Sequence, residues 1–231
     1  MGASSISRYD LIVFDCDGVI LNSNKVKTLA FYEVARRFGE EPALELAEFN
    51  RAFGGVSRHK KFNHFVDFIL PSFGFTFSAE EKEELIGTLI ADFGRVVEEK
   101  LVSCEITNGL PKLKEYTPLA IWAVASGGLQ SELRSVFEKR GITQFFQGGV
   151  YGSPRDKLEI VKDIVSKYVF ESGLLIGDTR YDCSVAEDCG LDFILLTKWS
   201  EQFCDSLATY PKCVGVYKSL EEIVALEETF R

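Results

Sequence analysis

With 231 residues, 46% of them apolar, the chain is long enough to build one large domain, or a core with a smaller insert, around a buried interior. Its 35 acidic residues outnumber 26 basic ones, and the net charge of -9 excludes a general attraction for nucleic acid or anionic lipid. A phosphate site on such a molecule needs local cations, backbone N–H groups or a metal to reverse the sign of the field.

In chain order, Asp10 to Phe14 is a short apolar run ending in Asp-Cys-Asp-Gly, which reads as a buried parallel strand feeding a loop. From Val26 to about Lys100 the pattern changes to successive amphipathic helices, predicted over Val26 to Phe38, Leu44 to Phe53, Lys60 to Ile69 and Ala79 to Val97. An all-helical block placed directly after the first strand suggests a lid over the sheet's active edge; an ordinary second domain is the alternative. Strand and helix then alternate. Strands are predicted at Leu119 to Ala125, Gly173 to Ile176 and Phe193 to Leu196, and helices at Leu129 to Arg140, Asp156 to Tyr168 and Tyr181 to Cys189. That alternation predicts an α/β fold with a doubly wound parallel sheet, whose strands end in polar clusters where such sheets bind ligands.

The first of those clusters, FDCDGVILNS, places Asp15 and Asp17 two residues apart in a loop, where both carboxylates reach one small volume. Two close anions are tolerated if a divalent cation lies between them or one stays protonated, and either arrangement serves phosphoryl transfer. Asp15 would attack phosphorus, and Asp17 would protonate the leaving oxygen and then activate water. A pair of solvated turn aspartates before a turn glycine is the plainer alternative.

FDCDGVILNS resembles the first motif of the haloacid dehalogenase superfamily, and three further segments resemble its remaining motifs in order. Ser126, after LAIWAVA, is similar to the second; the resemblance implies that its hydroxyl and the Gly127 N–H hold the transferring phosphoryl group. Lys157 in SPRDKLEIV resembles the third, a lysine that neutralises nucleophile and phosphate, where a lone helical lysine would otherwise be a solvated charge. LLIGDTRYD resembles the fourth, which implies that Asp178 ligates magnesium (Mg2+) with the Asp15 carboxylate and the Asp17 backbone carbonyl, Asp182 sitting behind them. The resemblance covers the whole chain. It implies a Rossmann-like core over residues 1–25 and 100–231, a small helical cap over 26–99, and a phosphatase acting on a small phosphorylated metabolite through an aspartyl-phosphate on Asp15. Three departures stand out: Leu158 where the third motif often has Pro, Asn22 in place of a frequent acidic residue, and Cys16 between the aspartates, read as a core side chain rather than a redox switch.

In the insert, Phe53-Gly-Gly-Val-Ser-Arg-His-Lys-Lys61 is a local reversal of charge, and Ser57, Arg58 and Lys61 are candidates to grip the distal anionic part of a substrate. A capping Ser57 with a solvated basic first turn is the alternative. The string GVSR also resembles the cap loop of β-phosphoglucomutase-type relatives, which implies a sugar phosphate and raises a mutase as the competing function. GDTRYD, and the lack of a lysine after Ser126-Gly127-Gly128, speak for hydrolysis. A noncatalytic phospho-ligand-binding module is a third reading, and dehalogenation is disfavoured by Asp17. Most of the insert's phenylalanines are expected to pack its core, and His59 and His64 have no metal-ligand set around them.

Cys16, Cys104, Cys183, Cys189, Cys204 and Cys213 form no CxxC pair, so free thiols in a reducing cytoplasm are expected. No stretch approaches the roughly 18 apolar residues of a membrane span, and neither membrane nor nucleic acid is an expected partner. Gly2 follows Met1 as in a myristoylation signal, but Ile6 stands where that pattern needs Ser or Thr.

Overall fold

The computed structural model describes residues 5–202 and 212–229; Gly2 and Cys204 lie outside them. Strand β1 (Leu11–Phe14) is followed by a helical block: α1 (Asn24–Ala35), α2 (Glu40–Ala52), α3 (Arg58–His64), a wide turn over Phe65–Ile69, α4 (Leu70–Ser72) and α5 (Ala79–Ser103). The chain then runs through α6 (Leu110–Tyr116), β2 (Ile121–Leu129), α7 (Gln130–Lys139), β3 (Gly149–Ser153), α8 (Lys157–Lys167), β4 (Gly173–Gly177), α9 (Arg180–Asp188), β5 (Asp192–Leu196), β6 (Cys213–Tyr217) and α10 (Leu220–Thr229).

The six strands form one parallel sheet in the order β3-β2-β1-β4-β5-β6. Because β1 is buried on both faces, it needs no polar alternation, and its run of Leu, Ile, Val and Phe satisfies that. Leu11 and Val13 enter the apolar layer under α8 and α9, while Ile12 and Phe14 enter the opposite layer with Trp122, Val124 and side chains of α6, α7 and α10. The order reverses at β1, so its carboxyl end opens at the topological switch point where sheets of this kind bind ligands.

The helical block differs from the sequence expectation mainly at its ends. α2 begins at Glu40, since Pro42 falls in the first turn, where a missing N–H costs nothing. α5 extends to Ser103, started by a reciprocal cap between Ser78 and Glu81. Buried Phe31, Phe62 and Phe93 stack on one another at centroid distances of 4.3–5.9 Å, and Phe38, Phe65 and Phe75 form a second aromatic cluster, so most of the phenylalanines are core. Phe53 and Phe68 are exposed, and His64 stacks on Phe49.

Two strands had no expectation in the sequence. β3 reads GVYGS, glycine-rich like a turn, and β6 is an edge strand whose side chains stay partly exposed. β2 runs four residues past Ala125, and its register against β3 shifts between Ala125 and Leu129. This irregularity takes Ser126, Gly127 and Gly128 out of the ladder beside the end of β1. Among the described residues, no helix is long and apolar enough to cross a membrane.

Candidate active site

Lys157, the first residue of α8, reaches across the top of the sheet, and its buried Nζ donates to Asp15 Oδ1 at 2.6 Å and Asp182 Oδ1 at 2.5 Å. The absence of Pro after it does not alter this reach, since Asp156 caps the helix through the Leu158 N–H at 3.0 Å. Burial lowers the Lys157 pKa, but the two carboxylates outweigh it and hold the ammonium charged.

Asp15, Asp178 and Asp182 bring buried carboxylate oxygens within 4.8 Å of one another. Asp182 is largely committed: besides Lys157, it accepts the N–H groups of Asp178 and Thr179 and the Thr179 hydroxyl, and so holds the turn that opens α9. Asp15 and Asp178 face each other with less compensation. Burial pushes the Asp15 pKa above the usual carboxylate range against the pull of Lys157, and burial with the charges of Asp15 and Asp182 does the same to Asp178. Three carboxylates around one ammonium leave a surplus of negative charge, carried on hard oxygen donors. A divalent cation held by Asp15 and Asp178 fits that surplus, and the donor set suits magnesium rather than zinc.

Asp17 sits beside this cluster. Its Oδ1 accepts the Ser23 hydroxyl at 2.5 Å, and its Oδ2 accepts Lys27 Nζ at 2.5 Å and, more distantly, Ser126 Oγ at 3.5 Å. Burial raises its pKa, but the charge and hydrogen bond of Lys27 and the Ser23 hydroxyl bring it below the usual range. Gly18 makes the approach of the first and fourth loops possible: its φ is +78°, and a Cβ there would lie 2.2 Å from Asp178 Oδ2. Cys16, between the aspartates, points into the core, where burial raises its thiol pKa, so it is not a poised thiolate. Asn22 turns away and bonds Glu105 through backbone and side chain.

The helical insert closes over this cluster. A Cβ on Gly127 would lie 2.3 Å from the Gly55 carbonyl oxygen, so the loop before α3 rests directly on the second motif. Ser57 caps α3 through the Lys60 N–H at 3.5 Å, but Arg58 and Lys61 are buried rather than solvated. Arg58 does not reach the cluster: it forks onto Glu132 of α7 at 2.8 and 2.5 Å and lies 4.6 Å from the Phe93 ring centroid. Lys61 Nζ donates to Asn50 Oδ1 at 2.6 Å, in the wall of a cavity that also touches Asp17, Lys27 and Gly127. With the insert in this position the cavity measures about 50 Å³. That holds a few waters and is far below the roughly 300–1,000 Å³ of pockets that enclose large ligands.

Burial pushes the Lys61 pKa down to about 7; Lys27 and Lys157 add to this, and Asp17 and Asp15 oppose it. Between about pH 7 and 10.5 the unfolded chain keeps this proton and the folded one has lost it, so this lysine's penalty on folding fades as pH rises. Lys61→Met is therefore expected to be more stable than the wild type near pH 7, with the gap narrowing toward pH 10; paired urea titrations at the two pH values read it.

Sequence reasoning missed Asn24, Lys27, Asn50 and Glu132. Asn24 Nδ2 bonds Asp178 Oδ2 at 2.7 Å and the Trp199 carbonyl at 2.9 Å, tying α1 to the fourth loop. Asn24, Lys27, Thr28 and Phe31 fall at helical spacing on one face of α1, the signal that could have revealed a polar face turned inward.

No protein-family model matches the sequence, and no curated protein matches it. Solved structures do match over nearly the whole chain. A predicted phosphoglycolate phosphatase from Haemophilus somnus is 17% identical with a TM-score of 0.74, covering 96% of this chain and 99% of its own. A haloacid dehalogenase-like hydrolase from Streptococcus pneumoniae is 18% identical with a TM-score of 0.68, again over 96% and 99%. An inferred β-phosphoglucomutase from Thermotoga maritima is 16% identical with a TM-score of 0.62, over 96% and 100%. With its six-stranded parallel sheet and the helical insert after β1, the chain has the fold of the haloacid dehalogenase-like hydrolases.

Proposed function

We propose that the protein is a magnesium-dependent phosphatase of the cytoplasm, hydrolysing a small phosphorylated metabolite through an aspartyl-phosphate on Asp15. The observation that carries this reading is the meeting of Asp15, Asp17, Ser126, Lys157 and Asp178, from four separate loops, around one small volume at the carboxyl end of the sheet.

The free carboxylate oxygen of Asp15 attacks phosphorus as the ester P–O bond breaks, and Lys157 neutralises both the nucleophile and the incoming phosphate. Ser126 Oγ and the Gly127 N–H orient the phosphoryl oxygens. Asp15 and Asp178 would hold magnesium, which would supply positive charge to offset the phosphate and favour the ionised form of the Asp15 carboxyl. Asp17 gives its proton to the leaving alcohol oxygen; a water then attacks the aspartyl-phosphate, Asp17 takes the water's proton, and Asp15 is regenerated as inorganic phosphate departs. Lys27 and Ser23 favour ionised Asp17 in the present arrangement, so it acts as an acid only once Lys27 is drawn away, and phosphoryl oxygens offer Lys27 that alternative partner. The mutase reading gains little support from Arg58, whose guanidinium is already forked onto Glu132.

Purified protein should release phosphate from p-nitrophenyl phosphate in the presence of magnesium. Chelation with EDTA should lower the rate at least roughly 100-fold, reversed by added magnesium. A rate indifferent to EDTA would remove the metal from the proposal.

A further inference from the structure

Arg58 lines the small cavity beside the aspartates, and it also lines a second space, a cleft of about 460 Å³ between α5 and α7. The two spaces meet along consecutive residues: Phe93 and Gly128 face the inner cavity, while Gly94 and Leu129 face the cleft. Between them lies the fork of Arg58 onto Glu132. Gly94 gives that pair its room, since a Cβ there would lie 3.3 Å from Glu132 Oε1.

This partition is made of side-chain ends. Elsewhere the cavity is closed through backbone: the Gly55 carbonyl rests on Gly127, and Gln202 Nε2 donates to the Arg51 and Ala52 carbonyls at 3.1 and 3.0 Å. The Glu132 side chain is 21% exposed, so water can replace Arg58 as its partner when the fork breaks. The inner cavity, at about 50 Å³, has no space for an alcohol of more than a few atoms, whereas the cleft falls within the range of pockets that enclose organic ligands.

The cleft also has a definite chemistry. Ile90, Leu101, Val102, Leu129 and Val136 make its walls apolar, and it follows α5 for twelve residues, about 18 Å. Its charges sit on exposed side chains: Arg95 is already paired with Asp92, which leaves Glu98 and Lys139 to balance each other. Nothing there calls for a charged ligand group, and burial of apolar surface is the available source of affinity.

We propose that the Arg58–Glu132 pair is a gate between the two spaces, and that the cleft behind it receives the alcohol part of the substrate. The preferred substrates are then phosphomonoesters of alcohols with an elongated, uncharged, apolar body. The inference rests on the phosphatase reading for its chemistry and adds the substrate class.

Ethyl phosphate and hexyl phosphate form the direct test, since both are esters of primary alcohols and differ by four methylenes. At about threefold to fourfold for each methylene buried, the wild type should favour hexyl phosphate in kcat/KM by roughly 100-fold. Ser135→Trp, which places a large ring in the cleft from a half-buried position on α7, should bring that ratio below about fivefold. Glu132→Gln keeps the shape of the gate but removes its ion pair, and should raise the ratio about fivefold above the wild-type value. The comparison is read without turnover in Asp15→Asn protein with magnesium, where hexyl phosphate should raise the melting temperature more than ethyl phosphate does, and adding Ser135→Trp should erase the difference. A wild-type ratio near one, or a ratio that survives Ser135→Trp, overturns the cleft; a ratio unchanged or lowered in Glu132→Gln overturns the gate. Failure to hydrolyse either ester, with selective stabilisation by hexyl phosphate intact, would instead sink the phosphatase reading and leave the cleft standing.

Discussion

Asp15→Asn is expected to lower magnesium-dependent phosphate release by at least roughly 10³-fold while leaving the protein folded. The amide matches the carboxylate in shape, and its oxygen can still accept from Lys157 Nζ, which now sits 2.6 Å from Asp15 Oδ1. What it loses is the anionic oxygen that the proposed mechanism joins to phosphorus, and no neighbouring group replaces it: Asp182 is committed to Lys157 and to the Thr179 turn, and Asp178 is assigned to the proposed cation site. Because the substitution also removes one of three crowded carboxylates, its melting temperature should equal or exceed that of the wild type, consistent with a site whose charge arrangement opposes stability. Parallel phosphate-release assays and thermal melts separate the two effects. Retained turnover with a normal melt would move the nucleophile elsewhere.

Lys157→Met should act on both stability and rate. The lysine is the one ammonium bonded between Asp15 and Asp182, and all three groups are buried. Removing one partner of a buried, hydrogen-bonded charge pair costs about 3–5 kcal/mol, which for a chain of this length lowers the melting temperature on the order of 10 °C. A lysine at the start of a solvated helix would change stability by less than about 0.5 kcal/mol. Magnesium should recover part of the loss, since a cation bound only by the folded state stabilises it by mass action. Turnover should stay depressed by roughly 100-fold or more even when magnesium saturates, because the charge on the nucleophile side of the phosphate is gone. Melts of wild type and variant with and without magnesium measure the first effect directly.

The sheet and the polar residues at its carboxyl edge were legible in the sequence for a physical reason. Parallel strands buried on both faces must be short apolar runs, and the polar residues that follow them lie at the sheet's carboxyl edge. Asp15 after LIVF and Asp178 after GLLIG carry that signal directly, and Ser126 carries it through the glycines that end the run. β3 and β6 carry it weakly, the first because Gly149 and Gly152 imitate a turn, the second because an edge strand keeps side chains in water. The wall contributed by the insert was less legible still. Lys27 and Asn50 look like the solvated face of a helix until tertiary packing turns them inward. Arg58 shows the limit of local reading most clearly: its place beside a glycine turn suggested an anion grip, but its partner Glu132 lies 74 residues away. Only the closure of the insert against α7 brings them together, and no spacing in the sequence encodes that approach.

The proposed covalent step can be tested directly. Wild-type protein mixed with radiolabelled p-nitrophenyl phosphate and magnesium, then quenched in acid within the first turnover, should carry the labelled phosphoryl group as an acyl phosphate on the peptide containing Asp15, and Asp15→Asn should carry none. Label on another residue, or steady turnover with no labelled protein at any time, would contradict a mechanism that passes through Asp15.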